Sequence, residues 1–237
     1  MSILSKIKTY LQCRTAKGYE QWLREQGVVI GKNLRLFNHK SIVIDTSTQG
    51  LIEIGDNVVI AGNVTILSHD YCTSVFMYKN VDFISGRSKV IIGSNVHIGQ
   101  RVMILRGVTI GDNVIIAAGA IVTKDIPSDS VVAGVPARVV CTLDEYYQKR
   151  KAVAVNEAKQ YARDLYQYRG VRPTVEDFWE EFALFYHEEE NYPTAFVQRI
   201  KNVQMPGELY DEFIKNNKPT YASFDEFLDD ALKDVEE

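Results

Sequence analysis

The sequence predicts a mainly β chain centred on a parallel β-helix, a three-sided coil of short strands, with a short N-terminal helix and a helical C-terminal extension. Three observations predict it. From Ile92 the chain repeats every six residues, as IGSNVH, IGQRVM, ILRGVT, IGDNVI, IAAGAI and VTKDIP. The same period runs upstream from Ile30 and again from Ile54. After residue 142 the composition shifts to Glu, Lys, Tyr and Ala with helical spacing of apolar residues. A fixed period takes precedence over any single helix or strand assignment.

The period has a direct physical reading. The first residue of each block, Ile92, Ile98, Ile104, Ile110, Ile116 and Val122, points inward and fills a prism. The fifth, Val96, Val102, Val108, Val114, Ala120 and Ile126, sits near a corner. Gly or Asn between them tolerates the backbone angles that a corner needs. Counting both tracts gives roughly five coils, a prism about 25 Å long at strand spacing. A β-sandwich would have to produce the sixfold spacing by chance in every block.

Length and composition bound the rest. The 237 residues suit one domain with an appendage, or two modest domains. Hydrophobic residues at 46% and charged ones at 24% describe an ordinary soluble globule. A net charge of −4 argues against non-specific nucleic-acid binding. Cys13, Cys72 and Cys141 are odd in number and far apart, which disfavours a disulfide framework or zinc site and fits a reducing compartment, expected to be the cytoplasm. The N-terminus shows no signal-peptide pattern, and no apolar run reaches the length of a transmembrane helix.

In chain order, residues 3–26 read as helix, with Gly18 and Gly27 as possible breaks or caps, so 1–29 forms an N-terminal helical segment that plugs the open end of the prism. Residues 30–141 form the β-helix. Its blocks begin IGKNLR, LFNHKS and IVIDTS, slip by three residues around Gln49–Leu51, and resume with IGDNVV, IAGNVT and ILSHDY. Residues 71–88 carry no repeat and read as an excursion looped out of the stack, and long loops in regular scaffolds often carry function. After Pro127 the pattern fades, with GVP as a closing turn. Residues 142–237 read as an α-helical extension. It has an amphipathic helix over 142–168, a second over 175–187 capped by Thr174, punctuation at Pro193 and Pro206, and a last helix capped by Ser223.

One histidine stands out. His69 ends the run NVTILSH at the point where the repeat breaks into the excursion, so its ring belongs at the prism edge beside a flap. Imidazole, with an unperturbed pKa near 6.5, can take a proton from a hydroxyl at neutral pH. A hydroxyl so activated can attack a thioester directly, with no Ser or Cys nucleophile. A structural role is the competing reading for a single His.

The run NVTILSH, a loop, and then IIGSNVHIG…GVTIGDNVIIAAGAIVTKDIPSDSVVAGVPARVV resembles the galactoside and maltose O-acetyltransferase branch of the hexapeptide-repeat acyltransferase family. The resemblance covers about 30–140 and is most specific from Val90 to Val139. It implies a left-handed coil, a homotrimer, acetyl-CoA as acyl donor without a metal, and a sugar or glycan-precursor hydroxyl as acceptor. It also implies His69 as catalytic base, Asn38 and Asp45 as acceptor-binding residues, and Gln100, Ala118, Thr123, Lys124 and Arg138 as the CoA site between neighbouring prisms. Lys124 and Arg138 suit phosphates, and backbone amides along a straight groove suit pantetheine. The chain departs from the branch in carrying His97 where relatives often have Trp, in residues 1–29, and in its helical tail.

Other readings use the same scaffold. An N-acetyltransferase for an amino sugar or antibiotic would have the same donor site. A metal-dependent prism of the γ-class carbonic anhydrase kind needs three histidines around one ion, and neither His69 nor His97 has a second histidine close in sequence. A scaffold protein whose tail binds a partner would lack affinity for CoA.

Overall fold

A computed structural model describes residues 9–187, 192–203 and 207–235. The chain divides into two compact units, 1–148 and 149–237.

In the first unit, successive short strands are dealt in turn to three sheets, and each sheet stacks parallel strands one coil apart. The first sheet orders Val29–Ile30, Ile52–Ile54, Val90–Ile92 and Thr109–Ile110. The second orders Arg35–Leu36, Val59–Ile60, Val96–Ile98, Val114–Ile116 and Ser130–Ala133. The third orders Val43–Ile44, Thr65–Ile66, Met103–Ile104 and Ile121–Val122. The prism does not fade after Pro127. Ser130–Ala133 is one more parallel strand, and the stack ends because Arg138–Thr142 returns antiparallel to it.

The core follows the period. Ile92, Ile98, Ile104, Ile110, Ile116 and Val122 are buried, and so are Val96, Val102, Val108, Val114 and Ala120, so the first and fifth positions both face inward. Each fully buried Ile or Val contributes about 1.5–3 kcal/mol, and the repeat supplies two such positions per side.

Gly and Asn divide the remaining work in a way that the sequence reading merged. The left-handed backbone is taken by Asn33, Asn57, Asn95, Asn113 and Asp129, all with φ between 57° and 58° or at 56° for Asn95. Glycine is there for space. A Cβ on Gly93 would lie 2.7 Å from the carbonyl carbon of Gly111 in the next coil, and one on Gly55 would lie 2.6 Å from the carbonyl oxygen of Gly93. Beside the glycines a ladder climbs the corner. Asp56 Oδ1 accepts from the Lys32 amide, Ser94 Oγ from the Asp56 amide, Asp112 Oδ1 from the Ser94 amide, and Ser128 Oγ from the Asp112 amide. Side-chain amides run alongside, Asn33 to Asn57 and Asn95 to Asn113 to Asp129. The ladder thereby gives partners to the Lys32, Asp56, Ser94 and Asp112 amides of this corner.

The N-terminal helix is interrupted. Residues 3–8 of the expected helix lie outside the described residues. Residues 9–12 are helical, and a new helix spans Ala16–Glu25, with Thr15 Oγ1 accepting from the Gly18 amide at its start. The break is at 13–15. Gly18 lies inside the second helix rather than breaking it, and is glycine because a Cβ there would meet the Gln12 carbonyl oxygen at 1.9 Å. Leu23 is fully buried in the prism core, with Tyr19 and Trp22 packed against it. Arg24 donates to the Ile30 and Gly31 carbonyls of the first coil.

The second unit begins within the helix Leu143–Arg169. Small Ala158 and Ala162, one turn apart, let that helix approach a core of Phe178, Phe185, Phe196 and Phe227. The expected helix over 175–187 is instead two 3-10 turns, Val175–Phe178 and Phe182–Leu184. Phe178, Phe182 and Phe185 keep the i, i+4, i+7 spacing of an α-helical face, and all three still reach one core because the chain breaks between the two turns rather than winding through as one helix. Thr174 caps the first turn as expected, in a reciprocal pair with Asp177. Helices Thr194–Val203, Gly207–Asn216 and Phe224–Leu232 follow, the last capped by Ser223 Oγ on the Glu226 amide. Pro206 lies outside the described residues.

Candidate active site

The third sheet positions the reactive groups. Its register pairs Ile44 with Ile66, Ile66 with Ile104, and Ile104 with Val122. The chain leaves each strand over the same prism edge, so Asp45, Ser68–His69, Arg106 and Thr123–Lys124 occupy successive coils of that edge. Lys124 is two coils from Ser68, about 10 Å at strand spacing.

At this edge the coil opens into the excursion. His69–Asp70 pairs antiparallel with Gly86–Arg87, and the loop carries a helix over Thr73–Asn80 that the sequence reading did not foresee. The hairpin base is clamped by an ion pair from Arg106 Nε to Asp70, and Arg106 with the Cys72 amide holds the Asp70 carboxyl below its usual range. Gly86 leaves room for this clamp, because a Cβ there would lie 2.4 Å from Asp70 Oδ2 and the ion pair would have to shift.

His69 sits in a built environment. Its Nδ1 makes a short contact to Asp45 Oδ2, Ser47 Oγ lies 3.2 Å from the same nitrogen, and Tyr71 stands edge-on with ring centroids 4.4 Å apart. The side chains of His69 and Asp45 are 15% and 5% exposed. Burial by itself raises the Asp45 carboxyl. Hydrogen bonds from the Ser68 hydroxyl, the Ser47 amide and His69 outweigh it and hold the group well below the usual carboxylate range. The Ser68 hydroxyl donates to Asp45 Oδ2 at 2.5 Å, the Ser68 amide to the same oxygen at 3.0 Å, and the Ser47 amide to Oδ1 at 2.9 Å. An ionised carboxylate only accepts, so Nδ1 must carry the proton. In the neutral ring Nε2 is then the free base.

The other candidates fall on a different edge. Asn38, Gln100 and Ala118 follow second-sheet strands. The Gly119 amide donates to the Gln100 carbonyl at 2.7 Å, and Arg138 pairs with Ala133 at the end of the last strand of that sheet. Gln100, Ala118, Thr123, Lys124 and Arg138 are all exposed. Asn38 is exposed with a left-handed backbone, φ 51°, at the start of the 3-10 turn His39–Ser41. The structure thus brings Asp45 to His69, places Thr123 and Lys124 along the same edge, and keeps Asn38, Gln100, Ala118 and Arg138 on the neighbouring one.

The remaining histidines stand apart. His97 faces outward between in-register Val59 and Ile115, and that aliphatic surround pushes its pKa down. No described contact joins it to His69. His39 and His187 contact the backbone carbonyls of Cys13 and Tyr221. Among the described residues no cluster of three or more His, Cys, Asp or Glu is placed to hold a metal ion. Ser47 and Ser68 escaped the sequence reading. The signal for Ser68 was its place directly before His69, and for Asp45 the count that sets Ile44 over Ile66.

Comparison with known proteins agrees with this architecture. The family described as bacterial transferase hexapeptide (six repeats) matches residues 89–124, and that described as hexapeptide repeat of succinyl-transferase matches 52–68. Galactoside O-acetyltransferase of Escherichia coli (strain K12) is 44% identical over 124 residues, 51% of this chain and 58% of its own. The chain therefore spans little more than half of that relative. Protein CapG of Staphylococcus aureus is 34% identical over 165 residues, 65% of this chain and 92% of its own. Among solved structures, a maltose O-acetyltransferase from Clostridium difficile 630 is similar at 32% identity, with 58% of this chain and 83% of that one covered and a TM-score of 0.41. The chain belongs to the hexapeptide-repeat acyltransferase family.

Proposed function

We propose that this protein is an O-acetyltransferase that moves an acetyl group from acetyl-CoA to a hydroxyl of a sugar or glycan precursor. The observation that carries the reading is the pairing of His69 with Asp45 at the foot of the excursion. Asp45 takes the role of orienting His69, since both of its oxygens are already occupied by the protein. His69 Nε2 draws the proton from the acceptor hydroxyl as its oxygen bonds to the acetyl carbonyl carbon. That proton is returned to the CoA sulfur as the thioester bond breaks. Acetyl-CoA supplies the activated acetyl group. Lys124 and Arg138 would meet its phosphates, and Gln100, Thr123 and the backbone at Ala118 its pantetheine arm. Exposed cations beside an open backbone edge fit an extended polyanionic ligand. Asn38 remains as an acceptor contact.

The division of these residues between two edges of one prism supports a homotrimer in which one copy presents the His69–Lys124 edge to the Gln100–Ala118 edge of the next. We read the coil as left-handed, as in the family. We place the protein in the cytoplasm because Cys13, Cys72 and Cys141 are all unpaired, as a reducing compartment keeps them. No described helix is long and apolar enough to cross a membrane. The test is thiol release from acetyl-CoA over a panel of sugars, amino sugars and nucleotide sugars. Release that depends on a hydroxyl acceptor supports the reading. Release only with amines assigns N-transfer, and none above the hydrolysis blank with any acceptor contradicts it.

A further inference from the structure

We propose that Ser68 is a positioning residue that fixes the tautomer of His69 through Asp45. The proposal rests on the catalytic reading of His69, although its first test does not.

Three facts define the arrangement. Ser68 is fully buried, and both its hydroxyl and its amide donate to Asp45 Oδ2. That same oxygen meets His69 Nδ1. A second hydroxyl, Ser47 Oγ, lies 3.2 Å from the same ring nitrogen. A hydroxyl can donate or accept, so Ser47 by itself is compatible with either tautomer of His69. If Ser47 donates to Nδ1, the ring proton must sit on Nε2, and the nitrogen that would act as base is blocked. A fixed, ionised carboxylate beside Nδ1 excludes that arrangement, because two acceptors cannot face each other without a proton between them.

Asp45 can impose this only while it stays ionised and keeps its aim. Its Oδ1 accepts from the Ser47 amide, its Oδ2 accepts twice from Ser68, and the Ser47 hydroxyl adds a further contact to the carboxylate. The Ser68 hydroxyl is thus the single side chain, other than the imidazole and Ser47, that holds the carboxylate. Removing it leaves Oδ2 with the Ser68 amide and the imidazole itself as donors, and weakens the hold that keeps the carboxylate aimed at the ring. Ser47 is then free to present its proton to Nδ1.

The test reads the tautomer and the reaction separately. Long-range nitrogen–proton correlation NMR at a pH where the ring is neutral resolves the two nitrogens of each histidine, and His69→Asn identifies the signal. In the wild type His69 is expected to be protonated on Nδ1 and bare on Nε2. In Ser68→Ala the tautomer ratio is expected to move about tenfold or more toward Nε2–H, the scale of one lost hydrogen bond to a charged group. Ser68→Cys keeps the volume and replaces the hydroxyl with a weak donor, so it should move the same way if Ser68→Ala proves unstable. In turnover, Ser68→Ala should lower kcat about tenfold with KM for acetyl-CoA unchanged, and it should add nothing in an Asp45→Asn background. An unchanged tautomer in both Ser68 variants overturns the proposal, and so does a loss of kcat that multiplies with Asp45→Asn. If the tautomer moves but the wild type transfers no acetyl group, the positioning role stands and the proposed function falls.

Discussion

Gly93→Ala isolates the claim that glycine in this coil is there for space. The added Cβ would lie 2.5 Å from Asp112 Oδ1 and 2.7 Å from both the carbonyl carbon and oxygen of Gly111. Real Cβ contacts need at least 3.0 Å, so the coils must part by several tenths of an ångström or the corner must twist. Overpacking of this kind costs about 1–3 kcal/mol. Displacing Asp112 also loosens its 2.6 Å hydrogen bond from the Ser94 amide, worth about 1.5 kcal/mol. Against these stands a gain of about 0.4–1 kcal/mol from a stiffer unfolded chain, because φ at Gly93 is not in the left-handed region. The net loss is about 2–3 kcal/mol, a fall of roughly 4–10 °C in Tm for a unit of this size. Far-UV circular dichroism during thermal unfolding measures it. Asn95→Gly is the control. It sits at the left-handed corner with φ 56°, where glycine accepts the backbone at little cost, so its loss should be confined to the exposed Asn95–Asn113 hydrogen bond, about 0.5–1.5 kcal/mol and less than that of Gly93→Ala. If Gly93→Ala melts within 1 °C of wild type, taken as about 0.3 kcal/mol, the close-approach account is refuted.

Other consequences can be checked directly. Lys124→Ala and Arg138→Ala should each weaken acetyl-CoA binding by about 1–3 kcal/mol in calorimetry with a smaller effect on kcat, and unchanged affinity in both would move the phosphate site elsewhere. Light scattering at micromolar protein should give a trimer, and a monomer would contradict the shared groove. In the tail, Lys159 and the Tyr221 hydroxyl hold the Asp230 carboxyl down to about 2. A depressed carboxylate stabilises the folded state above its unfolded pKa, near 4, and that contribution is lost as pH falls toward 2. Asp230→Asn should therefore flatten the acid loss of tail stability in that window, and an acid limb identical to wild type would assign the loss to other groups.

The prism was legible because its signal is redundant. Ile92 through Val122 state the inward face at every turn, and one misread block does not disturb the others. What remained hidden depends on contacts between coils. The glycines and asparagines share one region of each block, and only the stacked neighbours reveal that Gly93 clears Gly111 while Asn95 takes the left-handed turn. Ser130–Ala133 was missed because Pro127 interrupts the period just before it, and pairing with Val114–Ile116 restores it. The helix Thr73–Asn80 leaves Val75 and Tyr78 in solvent, so it lacks the buried stripe by which helices are read. His69 was legible from the break in the repeat. The resemblance implies Asp45 as an acceptor-binding residue, and its contact with His69 was not legible because the slip at 49–51 hides the register that sets it one coil from Ser68.

The central claim is that His69 is the base. His69→Ala should lower kcat by about 10²–10⁴-fold, the usual yield of positioned acid–base catalysis. Acetyl-CoA affinity should be retained, since Lys124 lies two coils along the edge. His97→Ala, which removes a ring flanked by Val59 and Ile115 with no described contact to His69, should turn over near the wild-type rate. The decisive measurement is single-turnover acetyl transfer in these two variants on the acceptor that the panel identifies. Loss in His69→Ala with retention in His97→Ala is the predicted result, and near-wild-type transfer by His69→Ala would contradict the account.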